Sequence, residues 1–188
     1  MLLVMTRLFS IEMFPGRCER KGENYVNGRI VDLKKGNTEI CAEFIQKAVG
    51  GDLFEVETVD DYSKDYHKCT EEAQQELREN ARPELKKYLE DISDYDNIFV
   101  WGPCWWETYP VAVFTQLERL DFTGKKVMAL MTHEGSGLGN SERDLRKICK
   151  GAEIIKPMEI KFDSQGGPVL QTAENKINDW IAEVKRSL

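Results

Sequence analysis

The sequence predicts an α/β fold, an open, doubly wound parallel sheet covered by helices on both faces. Two observations carry this. Short apolar runs alternate along the chain with longer segments of helical periodicity, which is the pattern of βαβ units. The clearest runs, IFVW at 98–101 and VMALM at 127–131, are each followed by a loop of unusual composition. In such a sheet those loops gather at the carboxyl ends of the strands, where ligands bind.

Length and composition set the frame. At 188 residues the chain is expected to be a single domain over 1–188 with a sizeable core, and 41% hydrophobic against 31% charged residues indicates a folded chain. No apolar run approaches the roughly 20 residues that cross a bilayer. A net charge of −7 argues against a nucleic-acid partner, which demands a basic face. Cys18, Cys41, Cys69, Cys104 and Cys149 are odd in number and form no C-x-x-C pair, so they read as reduced thiols of a cytoplasmic protein. With His67 and His133 as the two histidines, a histidine-built metal site is not expected.

Taken in order, residues 2–9 read as a first strand with Ser10 at its end, followed by a turn at 14–18 and a polar loop at 19–28. A loop of that length is either functional or evidence against the strand placement. Ile40, Cys41, Phe44, Ile45 and Ala48 recur at helical spacing after GNTE at 36–39, with Asn37 or Thr38 as N-cap and Gly50-Gly51 as the stop. Exposed N–H groups at such a helix start bind phosphate, and an ordinary capped helix is the plainer alternative. Residues 53–59 alternate as a half-buried strand, and the charged stretch 62–89 has helical spacing through Ala73, Leu77 and Ala81. A strand at 98–101 is closed by Gly102-Pro103, then come Cys104, Trp105, Trp106, Glu107, Thr108, Tyr109 and Pro110 and a helix at 111–120. The strand at 127–131 leads into a glycine- and hydroxyl-rich loop from Thr132 to Ser141. Helix from Asp144, strand at 152–160 and an amphipathic helix at 171–188 with Ile177, Trp180, Ile181 and Val184 on its apolar face complete the chain.

Three loops thus converge on one rim: a phosphate-type helix start, a tryptophan pair suited to a flat aromatic ring, and a glycine-rich wall. In GENYVNG (22–28), GNTE (36–39), ENARPEL (79–85), GPCWWETYP (102–110) and THEGSGLG (132–139), in that order, the chain resembles the flavodoxin family, in particular its short bacterial flavodoxin-like branch. The resemblance implies a flavodoxin-like three-layer α/β/α fold with a five-stranded parallel sheet in order 2-1-3-4-5, and FMN held without a covalent bond. Carried over by position, it implies that Gly36, Asn37 and Thr38 hold the phosphate. Pro103, Trp105, Trp106 and Thr108 then border the ribityl chain and ring, and Thr132, His133, Glu134, Gly135 and Gly137 form the opposite wall. For His133 a plain loop hydrogen bond is an equal alternative.

The amino-terminal 35 residues depart from the pattern, as an atypical first strand and extended phosphate loop. Alignment on GENYVNG places Glu19 at the family's phosphate serine; the strand at 2–9 would place Ser10 there; or this terminus is not the family's own. The function expected is electron transfer or generic oxidoreductase chemistry through FMN, with a redox partner protein or small quinone-like acceptor. An NAD(P)H-dependent quinone reductase is the alternative within the fold, and an interaction protein that has lost FMN the alternative of another class. No catalytic residue is named, because the flavin carries the chemistry. A homodimer contact through Tyr109-Pro110 and the loop at 14–35 is a further expectation.

Overall fold

The computed structural model describes residues 8–12, 24–26, 29–31, 36–63, 65–162 and 169–188, the first three segments by backbone alone. Five strands form one parallel sheet: β1 (Leu8–Glu12), β4 (Asp52–Glu55), β5 (Asn97–Pro103), β6 (Lys126–His133) and β7 (Glu153–Lys161), in the spatial order β4-β1-β5-β6-β7. Two more strands, β2 (Asn24–Val26) and β3 (Arg29–Val31), pair antiparallel as a separate ribbon. Beside the five strands of the parallel sheet, the described residues thus hold two more: β2, within the stretch read as a polar loop at 19–28, and β3 just after it.

Helices α1 (Asn37–Val49) and α5 (Glu174–Ser187) cover one face of the sheet. Helices α2 (Tyr66–Glu79), α3 (Val111–Leu117) and α4 (Ser141–Ile148) cover the other. Alternate residues of the central strands supply the two cores. Ile98, Val100, Val127, Ala129 and Met131 face α2, α3 and α4. Phe99, Trp101, Met128, Leu130, Met158 and Ile160 pack with Cys41, Ala42 and Ile45 of α1 and with Ile177, Trp180, Ile181 and Val184 of α5. All seven residues of β5 are buried, the continuous apolar pattern of a strand covered on both faces.

Several boundaries differ from the sequence reading for local physical reasons. Strand β5 runs through Gly102 and Pro103 instead of stopping there. Pro103 sits at the last paired position, opposite Thr132, where a missing N–H costs least. Gly102 stays in the strand because a Cβ there would lie 2.7 Å from Cδ1 of Tyr109. That ring is buried, and its hydroxyl lies 3.1 Å from the Val100 carbonyl and 3.2 Å from that of Leu130. Tyr109 and Pro110 are both buried, so they offer no dimer surface. The loop at 14–35 falls largely outside the described residues.

Strand β4 spans four residues, since Glu57 and Val59 turn away to bond with Lys86 and Glu84. Helix α2 ends at Glu79, where Asn80 takes the left-handed conformation (φ 50°) and its N–H returns to Glu76 and Leu77. The first strand is β1, in which Ser10 pairs with Leu53 and Phe99 in mid-strand and is not its end. Glu19 lies outside the described residues. Cys69 is disulfide-bonded, so the reading of five reduced thiols fails there; Cys41, Cys104 and Cys149 are free. Among the described residues no helix is long and apolar enough to cross a membrane.

Candidate functional site

A cleft of about 310 Å³ opens at the carboxyl rim, over the ends of β5 and β6. It is lined by Asn37 at the start of α1, Thr70 and Ala73 of α2, Pro103 to Trp106 after β5, and Thr132, His133, Glu134 and Ser136 after β6, with Phe162 beyond β7. Its volume lies at the lower end of the roughly 300–1,000 Å³ common for small-molecule sites.

The floor of the cleft begins at α1. Neither Asn37 nor Thr38 is the N-cap; Gly36 is, at φ −69° and with no side-chain cap. That dihedral suits any residue, and a Cβ at Gly36 would meet nothing within 4 Å among the described residues. Among the described residues nothing crowds Gly36, and the N–H groups of a first helical turn carry the positive end of the helix dipole. Thr38 points elsewhere. It is 1% exposed, and its hydroxyl is 2.7 Å from the hydroxyl of Thr132 on β6. This bond ties the helix start to the strand end beneath the cleft.

The first wall is a two-residue turn. Trp105 donates its N–H to the Thr108 carbonyl at 2.8 Å, and Thr108 returns one at 3.2 Å. Between them Trp106 (φ 50°) and Glu107 (φ 66°) are both left-handed. A tight hairpin turn of this hand favours Asn-Gly, so Trp-Glu here is strained. The surroundings hold it. Trp106 donates from Nε1 to the Thr70 carbonyl at 3.0 Å, and Asn140 donates its N–H to the Glu107 carbonyl at 2.6 Å. The Thr108 hydroxyl donates to Asp144 at 2.9 Å. Trp105 meets Tyr62 edge to face at 5.2 Å, and Tyr62 donates its hydroxyl to Glu76 at 2.6 Å. Trp106 remains 47% exposed on the cleft, a free aromatic face.

The second wall follows β6. His133 closes that strand, and its Nδ1 accepts the N–H of Gly137 at 3.0 Å. The side chain is 5% exposed, and Nε2 has no hydrogen-bond partner among the described residues, with Glu159 Oε2 at 3.9 Å. Burial pushes the imidazole below its ordinary value, against the pull of Glu159 and with that of Lys161 and Lys176. Cys104 lies between the walls, lining the cleft with Ser136, and burial raises its thiol pKa. It is a neutral thiol rather than a nucleophile.

The cleft therefore collects Asn37, Pro103, Trp105, Trp106, Thr132, His133 and Glu134. Thr38 and Thr108 are buried in bonds to Thr132 and Asp144, and Gly36, Gly135 and Gly137 shape the surrounding backbone without lining it. Cys104 and Ser136 also line it, from inside the segments GPCWWETYP and THEGSGLG. Thr70, Ala73 and Phe162 had no signal, since they reach the cleft only through tertiary packing.

The cleft at the rim of a five-stranded parallel sheet, with the start of α1 at one end and indoles at the other, now has its counterpart in known proteins. A family model described as Flavodoxin matches residues 33–183. The chain belongs to the flavodoxin family. Among its relatives, a flavodoxin of Synechocystis sp. is 23% identical over 194 residues, covering 84% of this chain and 95% of that one. A candidate flavoprotein of Bacteroides eggerthii superposes with a TM-score of 0.66 at 22% identity, over 95% of this chain and 98% of its own. A flavoprotein of Lactobacillus acidophilus solved in complex with FMN superposes with a TM-score of 0.61 at 15% identity, over 93% and 98%. At these identities the structural neighbours establish the flavodoxin-like α/β fold.

Proposed function

We propose that this flavodoxin-family chain, acting as one domain, binds FMN non-covalently in the rim cleft and serves in electron transfer or as a generic oxidoreductase. The observation that carries this is the cleft itself, running from the uncapped start of α1 to the paired indoles of Trp105 and Trp106. The sheet order supports it: with the β2-β3 ribbon left out, the strands read 2-1-3-4-5. So do the family and the neighbour that holds FMN.

In this reading the first turn of α1, with Asn37, receives the phosphate, since anions are favoured at a helix start. Trp105 and Trp106 flank the ring, with Pro103 beside it. Thr132, His133 and Glu134 border its other side, while Gly135 and Gly137 let the backbone approach. FMN supplies one- and two-electron chemistry when bound. The protein's own part is to orient and to set charge: the Glu134 carboxylate beside the ring opposes negative charge arriving there and so lowers the potential. The partner is a redox protein or a small quinone-like acceptor.

Titration with FMN tests the reading. Uptake with quenched flavin fluorescence is expected, together with about 2.7 kcal/mol of stabilisation at a ligand concentration a hundredfold above Kd. No binding and no shift in Tm at saturating FMN would sink it. Anaerobic addition of NADPH then separates the activities: rapid bleaching of the bound flavin indicates a reductase, and its absence a carrier.

A further inference from the structure

We propose that His133 is a positioning residue, a proton-sensitive latch that holds the second wall of the cleft closed only while its imidazole is neutral. Its consequence for FMN rests on the cofactor reading above; the latch itself belongs to the ligand-free chain.

The latch is visible in one hydrogen bond. Gly137 donates its N–H to Nδ1 of His133 at 3.0 Å, so Nδ1 carries no proton and the neutral ring keeps its proton on Nε2. A second proton can go only to Nδ1. It would replace an acceptor with a donor facing another donor, and the bond would turn into a repulsion. Gly137 sits at φ +65°, where a Cβ would lie 2.9 Å from Glu159 Oε2, so glycine is what lets the backbone bring this N–H to Nδ1. The bond spans residues 133–137, the half of the loop that lines the cleft through His133, Glu134 and Ser136.

The charges around the ring do not compensate. On the elements packed against His133 they are Glu159 and Lys161 of β7 and Lys176 of α5, with Glu134 in the loop itself. Glu159 Oε2 stands 3.9 Å from Nε2; its side chain is 42% exposed and is shared with Lys176 Nζ at 3.6 Å. Both lysines oppose a positive ring. Burial therefore dominates and depresses the imidazole's pKa from its ordinary 6.5. The sign follows from linkage. A group whose pKa is lower with the loop closed than with it open stabilises closure fully above the open-state value. That stabilisation is lost as the pH falls toward the closed-state value, by about tenfold in the closure constant per pH unit between the two.

The test is the protection of the Gly137 amide against pH in the ligand-free protein, with the amide of Leu130 in the sheet as the reference for global unfolding. Wild type is expected to lose Gly137 protection in acid while Leu130 keeps its own. H133N places a side-chain oxygen where Nδ1 stands and does not titrate, so its Gly137 protection should stay flat with pH. H133F has no acceptor and should leave Gly137 unprotected throughout; if it fails to fold, the asparagine variant alone decides. Wild-type protection that does not change as His133 titrates, or an H133N profile that falls like the wild type's, overturns the latch. FMN titrations at two pH values complete the test, with affinity falling more steeply in acid for wild type than for H133N, the phosphate's own titration at about pH 6 being common to both. If FMN fails to bind at neutral pH the cofactor reading falls, while the amide result still stands or falls by itself.

Discussion

The two walls of the cleft are built on opposite plans. The wall after β5 is a two-residue turn whose central residues, Trp106 and Glu107, are both held left-handed at roughly 1–2 kcal/mol each. It stays in place because every neighbour grips it: Trp105 and Thr108 bond to each other, Trp106 to Thr70, Glu107 to Asn140 and Thr108 to Asp144. The wall after β6 is a longer glycine-rich loop whose cleft-lining half is fixed by Gly137 on one imidazole nitrogen. The first wall stores strain to present an aromatic face in one orientation. The second stores none and yields to a single proton. A ligand between them would meet one rigid side and one adjustable side.

The sharpest way to break that contrast is at the point where the walls interlock. Gly139 sits at φ +50°, and a Cβ there would fall 2.3 Å from the Glu107 carbonyl oxygen and 2.8 Å from its carbon. Gly139→Ala must push the second wall off the first and lose the Asn140 N–H bond that clamps the strained turn. A loss of roughly 3 kcal/mol is expected, at the high end for a point substitution, read as a shift of the denaturant midpoint at unchanged m. A loss below about 0.5 kcal/mol, the range of a surface change, would mean that the walls are independent.

Next in size is the bond beneath the cleft. Thr132→Val leaves the Thr38 hydroxyl 1% exposed with its partner removed, which costs about 1–3 kcal/mol. Adding Thr38→Val should recover part of the loss, because two apolar groups of that shape leave no buried hydroxyl unpaired. A double-mutant cycle with no coupling would show that the helix start and the strand end are held by packing alone.

How much of this was legible in the sequence follows the same division. The sheet and its helices are written in periodicity: Ile98, Val100, Val127 and Ala129 go to one core and Phe99, Met128 and Leu130 to the other, as an apolar run buried on both faces requires. The apolar stripe of α5 was equally plain, and Ile177, Trp180, Ile181 and Val184 are all buried. The cleft was legible where the motif residues are also lining residues, as at Trp105, Trp106 and His133. It was not legible at Thr38 and Thr108, because a hydroxyl's partner is chosen by tertiary contact, and Thr132 and Asp144 stand 94 and 36 residues away. Gly102 misled for a related reason. Beside a proline it reads as a strand breaker, yet its role is to admit the ring of Tyr109, which nothing local announces.

The smallest expected effect is also the one that separates strain from contact in the first wall. Asparagine tolerates the left-handed region better than glutamate, so Glu107→Asn should relieve part of the turn's cost. The Glu107 side chain gives up only a 3.3 Å exposed contact from Asn140 Nδ2, and it does not line the cleft. A gain of about 0.5 kcal/mol is expected, roughly 2 °C in Tm for a chain of this size, with FMN affinity unchanged. Trp106→Asn relieves strain of the same kind one residue earlier, but it removes the exposed indole and its bond to Thr70. It should leave stability near wild type and weaken FMN. If instead both substitutions destabilise equally and neither touches affinity, the turn is held by its own side-chain packing. The left-handed pair would then be a consequence of the interlock with Gly139 and not the device that aims Trp106 at the cleft.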